Sequence, residues 1–539
     1  MTRLTRRTVG LLVASLVLAL SATPLTPAVR AAGVTTWLVA NGDEVLNYTE
    51  GSACADPDFW TDGGWSEAGS GDGDYDSDED AIQDAIDNAS SGDTIFVCFG
   101  RYDFDTDLHI FDPGMSLTIV GDGIGATVLD GTDSTRLINA NPAGDDDDGG
   151  TLTLRDLSIE DARTASVLDN GGAVNADGLA IIRVSISGSD NAYNGGALYA
   201  EGNVSIVDST FTDNDTSEYG AVLYSWNPAR TVSISNSVFD GNTAGGGGGA
   251  ILATTATVTG STFTGNEAVN GGAIVAYDTA TVSASTFRDN TATNSGGAIY
   301  AGHTTVSAST FRDNTATNGG AIHTGPATLI ASAFTNNSAD IGGAINASTA
   351  TITSSTFTGN GAITYGGAII AYDTAIVTRS TFTGNNANLG GAITSGIVNA
   401  TANTFTDNDA EFLGGAIYAW SSATLDGSSF NGNDAGSFGG AIYASTATIS
   451  RSRFTRNSAG QHGGAVALNS PTHQDLRRLR GNTFSRNTAA SGGAFTLGGC
   501  VAPSRGEVAI VERANRFSGN RATEQRRTRN VEIRSGDCA

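Results

Sequence analysis

The stretch that decides the fold is Gly-Gly-Ala-Ile-Val-Ala-Tyr-Asp-Thr-Ala-Thr-Val-Ser-Ala-Ser-Thr-Phe-Arg-Asp-Asn, residues 271–290. Its opening Gly-Gly-Ala occurs thirteen times, in steps of 23 to 25 residues with two of 29 once Tyr219-Gly220-Ala221 is counted as a degenerate copy. Phe-x-x-Asn follows about 15 residues later and also occurs thirteen times in one phase. Such regularity predicts a repeat architecture instead of several unlike domains. Gly-Gly-Ala begins at residues 171, 195, 248, 271, 296, 319, 342, 366, 390, 414, 439, 463 and 492.

Each repeat predicts short strands, because apolar residues alternate with polar ones and Thr, Val and Ile are frequent. A strand of four or five residues that cannot pair within its own repeat must pair with its equivalent in the next, giving parallel strands about 4.7–4.9 Å apart. We therefore predict an all-β fold, a single-stranded parallel β-helix (solenoid). It has about 14 clear coils, preceded by further N-terminal coils.

Variation between the repeats predicts a role for each position. The residue after Ala, such as Ile274, is aliphatic in all copies but the last, which has Phe495, and it should point inward. The next position varies and should point outward. The Phe should stack inside the coil, and the Asn three residues later should bond the same amide one coil away. The glycines fit corners that need a positive φ.

Composition excludes several protein classes. The 539 residues have a formal net charge of −28, a sequence pI near 4.3, 71 glycines and no lysine. Glycine without a Gly-X-Y period, together with only 16% charged residues, excludes a collagen, a coiled coil and a charged disordered chain. The acidity also argues against nucleic acid as a partner, because phosphate binding depends on clustered cations.

The first 32 residues read as a signal peptide. Arg3, Arg6 and Arg7 precede an apolar stretch centred on residues 9–20, which is shorter than a membrane span. We expect an exported, soluble, extracellular monomer with no transmembrane segment after the signal is removed. The arginine pair leaves the general and the twin-arginine export routes open.

Four cysteines lie in two pairs at the two ends of the mature chain: Cys54 and Cys98, then Cys500 and Cys538. In an exported protein they are expected to form disulfides. Three connectivities exist, and we favour Cys54 with Cys98 and Cys500 with Cys538, because each bond would staple one end of a long structure. Metal binding is the alternative, although no CxxC motif accompanies them.

These motifs carry a family resemblance. The alternation of Gly-Gly-Ala-(Ile/Leu/Val) with Phe-x-x-Asn resembles the repeats of chlamydial polymorphic outer membrane proteins, and residues 81–131 resemble the start of pectin-lyase-like β-helices. The resemblance implies a right-handed parallel β-helix that acts as a surface adhesin. The autotransporter barrel of that family is not expected here, so a freely secreted or non-covalently retained protein is predicted.

The organisation along the chain follows. Ile82, Ala85, Ile86 and Ala89 recur at helical spacing and predict a helix that caps the first coil. The predicted segments are the signal peptide (1–32), an N-terminal cap with an acidic loop (33–80), the opening helix and first coils (81–150), the Gly-Gly-Ala/Phe-x-x-Asn repeats (151–499) and a C-terminal cap (500–539).

One acidic run raises the question of a metal. Asp72, Asp74, Asp76 and Asp78 alternate with other residues like the start of a calcium loop. Ser77 stands where such loops need Gly, and Gln83 replaces the bidentate Glu, so a solvated acidic loop is the favoured interpretation. No other cofactor is predicted, and calcium stays the alternative.

Catalysis has a weaker basis than binding. Asp289 and Asp313 occupy equal places in adjacent coils, as do Arg288 and Arg312. They belong, however, to two identical 14-residue strings, which indicates duplicated scaffold instead of separate acid and base environments. We name no catalytic residue.

The better surface feature is an aromatic stripe. Tyr and Trp recur at two outward positions of the repeat, where stacked coils should align them along one face, a surface suited to sugars or protein partners. Tyrosine also stacks well along parallel strands, so a purely structural role remains open. The first position holds Tyr199, Tyr224, Tyr300, Tyr418 and Tyr443, and the second holds Trp226, Tyr277, Tyr372 and Trp420.

Two function classes follow, with a third held open. The first is a secreted or surface-associated protein that binds a surface glycan or a protein ligand through the outer face of the solenoid. The second is an extracellular polysaccharide lyase or glycoside hydrolase of the pectin-lyase-like type. The third is a structural spacer about 65–70 Å long.

Overall fold

The computed structural model describes residues 36–39, 78–110, 114–132, 135–140, 150–164, 170–191, 193–469, 478–498, 505–523 and 530–533. Over these residues the chain is an all-β, right-handed parallel solenoid of about 15 turns with almost no helix. The predicted fold class is therefore confirmed. The described residues from Thr36 onward form one compact unit. The predicted signal peptide lies outside the described residues.

Most coils of the repeat region contribute a first strand after Gly-Gly, a Phe strand and a short outer strand. All pairings among the described strands are parallel and join equivalent residues: Ile274, for example, aligns with Ile251 and Ile299. The strands that begin the solenoid are Thr36–Val39, Thr94–Val97, Gly100–Asp103, Leu108–His109, Leu117–Gly121, Thr127–Asp130, Ile138–Asn139, Thr151–Glu160 and Gly178–Ser187.

In nine coils the first strand runs through a corner into a second segment, which makes it nine or ten residues long. These long strands are Ile251–Thr259, Ile274–Ser283, Ile299–Ser307, Ile322–Ile330, Ile345–Thr353, Ile369–Thr378, Ile393–Thr401, Ile417–Asp426 and Ile442–Ser450. The shorter equivalents are Val174–Ala176, Leu198–Ala200, Val204–Val207, Leu223–Ser225, Val232–Ser235, Val466–Leu468, Phe495–Leu497 and Val531–Ile533.

The remaining strands make the other two walls. The Phe strands are Thr210–Thr212, Val238–Asp240, Thr262–Thr264, Thr286–Arg288, Thr310–Arg312, Ala333–Thr335, Thr356–Thr358, Thr381–Thr383, Thr404–Thr406, Ser429–Asn431, Arg453–Thr455, Thr483–Ser485 and Arg516–Ser518. The outer strands are Asp190–Asn191, Asp215–Thr216, Thr243–Ala244, Glu267–Asn270, Thr291–Ser295, Ser338–Ile341, Gly361–Tyr365, Asn386–Leu389, Asp409–Leu413, Asp434–Ala435, Ser458–Ala459, Thr488–Ala489 and Arg521–Ala522.

The phenylalanines form the continuous stack that the sequence predicts. From Phe211 to Phe517 neighbouring rings are nearly parallel, with centroids 4.5 to 5.1 Å apart. This spacing is the strand spacing itself, so the register of the sheet fixes the ring geometry. The stack lies beside the inward aliphatic residues in one core.

The predicted asparagine ladder is also confirmed. Asn337 Nδ2 donates to the Phe311 carbonyl oxygen at 3.1 Å and to Asn360 Oδ1 at 2.9 Å. Its Oδ1 accepts from the backbone N and from Nδ2 of Asn314 at 3.1 and 2.9 Å. The same pattern runs from Asn214 to Asn520, so these buried amides are satisfied by one another.

A second buried polar ladder was not predicted. The backbone N of Ser285 donates to Ser309 Oγ at 3.1 Å, while Ser285 Oγ donates to the Ser283 carbonyl at 2.7 Å. The Ser of the recurring Ser-Thr-Phe string is the sequence feature from which this ladder could have been predicted. The ladder comprises Ser209, Ser237, Ser261, Ser285, Ser309, Ser332, Ser355, Ser380, Asn403, Ser428, Ser452, Asn482 and Asn515.

The Gly-Gly corner confirms the predicted role of glycine. The first glycine has φ between 58° and 73°, as at Gly271 and Gly171. A Cβ on the second glycine would collide with the carbonyl oxygen of the equivalent residue one coil on. A Cβ on Gly297, for example, would collide with the Gly320 carbonyl oxygen. In the degenerate copy, Gly220 takes the positive-φ place and Ala221 takes the second.

Helices lie near both ends of the described chain. Helix α1, Asp78–Asn88, buries Ile82, Ala85 and Ile86 against the first strands, which confirms the predicted N-terminal cap. Helix α2, Arg505–Ala514, precedes strands that continue the stack beyond residue 500. Among the described residues no helix is long and apolar enough to cross a membrane.

Candidate binding surface at an aromatic corner

The nine predicted aromatic residues separate into two rows. The aromatic ladder, half-buried, comprises Tyr199, Tyr224, Tyr300, Tyr418 and Tyr443. The aromatic corner, exposed, comprises Trp226, Tyr277, Tyr372 and Trp420, whose exposed fractions are 50, 43, 49 and 39%. The structure therefore brings each set onto one line along the solenoid, but with different access to solvent.

The aromatic ladder stacks along the strands. Tyr199 and Tyr224 are 5.6 Å apart and nearly parallel, and Tyr418 and Tyr443 are 5.8 Å apart and tilted by 37°. Burial raises the pKa of Tyr224 to about 12, so its phenol stays protonated and can donate a hydrogen bond.

The same position is covered in the coils between these tyrosines. Leu252, Val275 and Ile370 stand there with 1 or 2% exposure, although none belongs to the central core. The position thus points away from the core, as predicted, but it is not open to solvent. The chain just before Gly-Gly folds over it: Thr394, for example, donates from Oγ1 to the Leu389 carbonyl at 2.7 Å. This row mainly seals a corner.

His323 continues the ladder. Its ring lies 5.4 Å from that of Tyr300 at an angle of 4°. Burial lowers the pKa of His323 below its ordinary value, which favours the neutral imidazole.

The aromatic corner lies on insertions in the long strands. Between Ala276 and Thr279 the coil has two residues, Tyr277 and Asp278, where the next coil has one, Gly302. A one-residue bulge of this kind bends the strand and turns a side chain in a new direction. The bulge therefore presents the Tyr277 ring to solvent.

Two further coils carry the same bulge, and each also carries an exposed aromatic residue. Tyr372 and Asp373 stand opposite the single residue Gly396. Trp420 and Ser421 stand opposite Gly396 on one side and Ser445 on the other. In this part of the chain the extra residue and the exposed ring occur together.

Trp226 lies on a longer insertion at the same corner. Ser225 and Val232 pair with Ala253 and Ala256, so six residues stand where the next coil has two. The Trp226 and Tyr277 rings meet edge to face, with centroids 4.4 Å apart. These two rings form a joint apolar platform across the intervening coil.

Glycines beside the bulges keep the rings uncovered. A Cβ on Gly302 would lie 2.5 Å from the Tyr277 carbonyl oxygen and 2.6 Å from that of Asp278. A Cβ on Gly396 would lie 2.7 Å from the Asp373 carbonyl oxygen and 3.2 Å from Trp420 Nε1. On the side of Gly302 and Gly396 the bulged backbone therefore leaves room only for glycine, and that glycine leaves open surface beside the ring.

Sequence analysis missed other exposed aromatic residues near this surface. Tyr193 and Tyr219 are 40 and 38% exposed, and both are close enough to Tyr224 to raise its phenol pKa further. Phe438 packs against Tyr443, with centroids 6.3 Å apart. Tyr219 directly precedes the degenerate Gly-Ala corner. That irregularity is the sequence feature that could have indicated an exposed aromatic residue there.

A shallow groove of about 500 Å³ lies on the outer strands. Its lining includes Ile363, Asn386, Asp409 and Glu411. Burial first and then the neighbouring Asp434 raise the pKa of Asp409. The groove is polar and open, and it was not predicted.

The remaining predicted sites gain no support from the structure. Asp72, Asp74 and Asp76 lie outside the described residues, as do Cys54, Cys500 and Cys538. Asp78 is known as the first residue of α1. Cys98 is buried and is not a free thiol, but the two cysteine pairings stay predictions. Within the described part of the chain, no group of three or more His, Cys, Asp or Glu side chains is placed to hold a metal ion.

The stacked carboxylates Asp289 and Asp313 each lie against the arginine that precedes them. Arg312 Nε donates to Asp313 Oδ2 at 2.7 Å, and Arg288 Nε lies 3.5 Å from Asp289 Oδ2. Both aspartates have φ of 55°, at a tight corner. This arrangement is that of a turn and its ion pair.

Comparison with protein families gives one match. The Chlamydia polymorphic membrane protein repeat matches residues 236–254, 284–302 and 308–325. Three segments within residues 236–325 are therefore similar to this repeat. The resemblance predicted from Gly-Gly-Ala and Phe-x-x-Asn is thereby confirmed. No curated protein matches the chain.

Several solved structures resemble the solenoid at low identity. A mannuronic acid specific polysaccharide family 6 lyase from human gut microbiota is 10% identical, with 82% of this chain and 89% of that chain covered and a TM-score of 0.31. The catalytic unit of a GH87 α-1,3-glucanase from Streptomyces thermodiastaticus is 17% identical, with 76 and 66% covered and a TM-score of 0.33. A PL6 family polysaccharide lyase from Pseudopedobacter saltans is 10% identical, with 85 and 95% covered and a TM-score of 0.25. Likenesses at this level do not bear on the activity of the chain.

Proposed function

We propose that the chain is an exported, surface-associated binding protein that holds an extended polysaccharide against the aromatic corner. The observation that carries this proposal is that three one-residue bulges at one corner each present an exposed aromatic ring. Bulges that break a regular ladder are features to be explained by function. The apolar C–H face of a sugar ring matches the face of Tyr and Trp.

The spacing of the rings suits a polymer that runs along the solenoid. Trp226 and Tyr277 are two coils apart, Tyr277 and Tyr372 four, and Tyr372 and Trp420 two. At a strand spacing of 4.7–4.9 Å the line of contacts is about 38 Å long. A single small sugar would meet one ring, whereas an extended chain would meet several at once and gain affinity through multivalency.

The rigid wall beneath the corner supports binding. The long strands under these rings pair on both sides of each bulge, and their inward residues are buried. A preformed surface loses little conformational entropy when a ligand binds. We therefore favour binding over lyase or hydrolase chemistry, because the stacked aspartates Asp289 and Asp313 lie against their own neighbouring arginines.

Export is part of the proposal. The chain begins with a predicted signal peptide, and its repeats match those of a membrane protein family of Chlamydia. N-terminal sequencing of the protein from culture supernatant or cell surface should find a start near Ala32. An intact Met1 would contradict export through this signal.

A glycan array tests the proposed function. The purified mature chain should bind one polysaccharide class, and Trp226→Ala with Trp420→Ala should remove most of that binding. A matched control is Val269→Ala with Ile363→Ala, which deletes exposed apolar side chains on the outer strands (38 and 63% exposed). The control should bind like the wild type. The proposal would be overturned if the tryptophan variant bound the polysaccharide as well as the wild type does, or if the chain bound only proteins.

A further inference from the structure

The structure also bears on the charge of the ligand. Resting on the proposed function, we infer that the aromatic corner is built for a cationic polysaccharide, one whose sugars carry free amino groups. The two bulged tyrosines are each followed directly by an aspartate, within the same string Ala-Tyr-Asp-Thr-Ala at residues 276–280 and 371–375. Asp278 and Asp373 are both exposed. The same ring and carboxylate are therefore presented twice, four coils apart.

The rest of the corner includes one more carboxylate, one histidine and one arginine. Glu201 lies at the same corner in an earlier coil, where it accepts a hydrogen bond from the Tyr199 hydroxyl at 3.1 Å. His303 faces Asp278, with Nδ1 at 3.8 Å from Oδ1. The one arginine of the corner, Arg230, belongs to the Trp226 insertion at its far end. The corner from Tyr277 to Tyr372 thus has a carboxylate at each end, Asp278 and Asp373, and no arginine at the corner positions between them.

A ring beside a carboxylate is a good receptor for an ammonium group. The face of Tyr attracts a cation through its quadrupole, and the carboxylate adds a charge-assisted hydrogen bond. A uronic acid polymer would meet repulsion from these aspartates and from a chain with a net charge of −28. The surface between the two rings is floored by Gly302, Gly325 and Ser348, which leave room for a sugar backbone.

Matched oligosaccharides separate charge from shape. The probes are a β-linked glucosamine hexamer, the same hexamer fully N-acetylated, and a mannuronate hexamer, titrated calorimetrically into the mature chain at low and high salt. We expect the glucosamine hexamer to bind most tightly and to weaken with salt. Asp278→Asn with Asp373→Asn should lower its affinity about three- to tenfold. Binding of the N-acetylated hexamer should stay unchanged in that variant.

The control variant changes charge elsewhere by the same amount. Asp289→Asn with Asp313→Asn removes two carboxylates at a different corner, where asparagine tolerates the positive φ. It should bind the glucosamine hexamer like the wild type. An equal loss in the control would show a general charge effect and overturn the inference.

Failures of the two proposals give different results. If the N-acetylated or the mannuronate hexamer binds as tightly as the glucosamine hexamer, and Tyr277→Ala with Tyr372→Ala still removes that binding, the inference about charge fails and the proposed function stands. If the tyrosine variant binds every probe like the wild type, both fail. Absence of binding to all three hexamers also overturns the inference.

Discussion

The interior of the solenoid and its aromatic corner differ in how strictly they repeat. Inside, every coil from Phe211 to Phe517 supplies the same ring at the same place, and the asparagine ladder runs beside it without interruption. At the corner, the exposed rings appear only where a coil has extra residues. Identical coils are sufficient for stability, because each needs only a matching neighbour. The irregular coils are then where selection for a ligand would be visible.

The largest effect should come from breaking the interior. Phe334→Ala removes one fully buried ring from the stack, between Phe311 and Phe357. We expect the free energy of unfolding to fall by about 3–5 kcal/mol, because the site cannot collapse between fixed coils. Urea denaturation followed by circular dichroism measures it. A loss below about 1 kcal/mol would mean that the stack is not the stabilising element.

The asparagine ladder should come next. Asn337→Leu leaves the Asn314 amide and the Phe311 carbonyl without their partner. Each orphaned buried group costs about 1–3 kcal/mol, so a loss of about 2–4 kcal/mol in the free energy of unfolding is expected. The control is the adjacent Asn336→Gly, an exposed site with φ of 53° that glycine adopts readily. Equal losses in the two variants would contradict the ladder's role.

A smaller effect is expected where the two regions meet. Gly302→Ala places a Cβ 2.5 Å from the Tyr277 carbonyl oxygen and should destabilise the chain by about 1–3 kcal/mol while displacing the bulge. Gly247→Ala is the control, since its Cβ comes no closer than 3.2 Å to a neighbour, the flexible Val275 side chain. Unchanged stability and unchanged binding in Gly302→Ala would show that the bulge does not depend on this glycine.

Acidity should weaken the ladder through His323. Its pKa is lowered in the folded state by burial, so the unfolded chain binds the proton more readily. The stability that His323 contributes is therefore present above its unfolded pKa of about 6.5 and is lost as the pH falls through the lower folded value. His323→Phe keeps an aromatic ring stacked on Tyr300. Between pH 7 and pH 5 its melting temperature should fall less than that of the wild type. Identical losses would contradict this assignment.

The interior could be predicted from sequence, and the corner could not. Phe-x-x-Asn recurs without change because each coil meets the same neighbour, so the pattern alone places Phe334 and Asn337 inside. The row of Tyr277 and Tyr372 was found by counting from Ala, but counting does not reveal that these coils have one residue more than their neighbours between paired positions. The cover over Val275 and Ile370 also depends on the chain before Gly-Gly, which is distant in the repeat pattern.

The aromatic corner is proposed to bind the polysaccharide, whereas the interior of the solenoid stabilises the fold. The most direct measurement combines binding with melting for Tyr277→Ala, Tyr372→Ala and Trp420→Ala together, with Tyr372→Ala alone as the milder step. The account predicts that stability changes by no more than about 0.5 kcal/mol for the single exposed site, while binding to the array-selected polysaccharide falls stepwise and is lost in the triple variant. A triple variant that binds like the wild type, or one that loses binding only because it unfolds, would contradict the account.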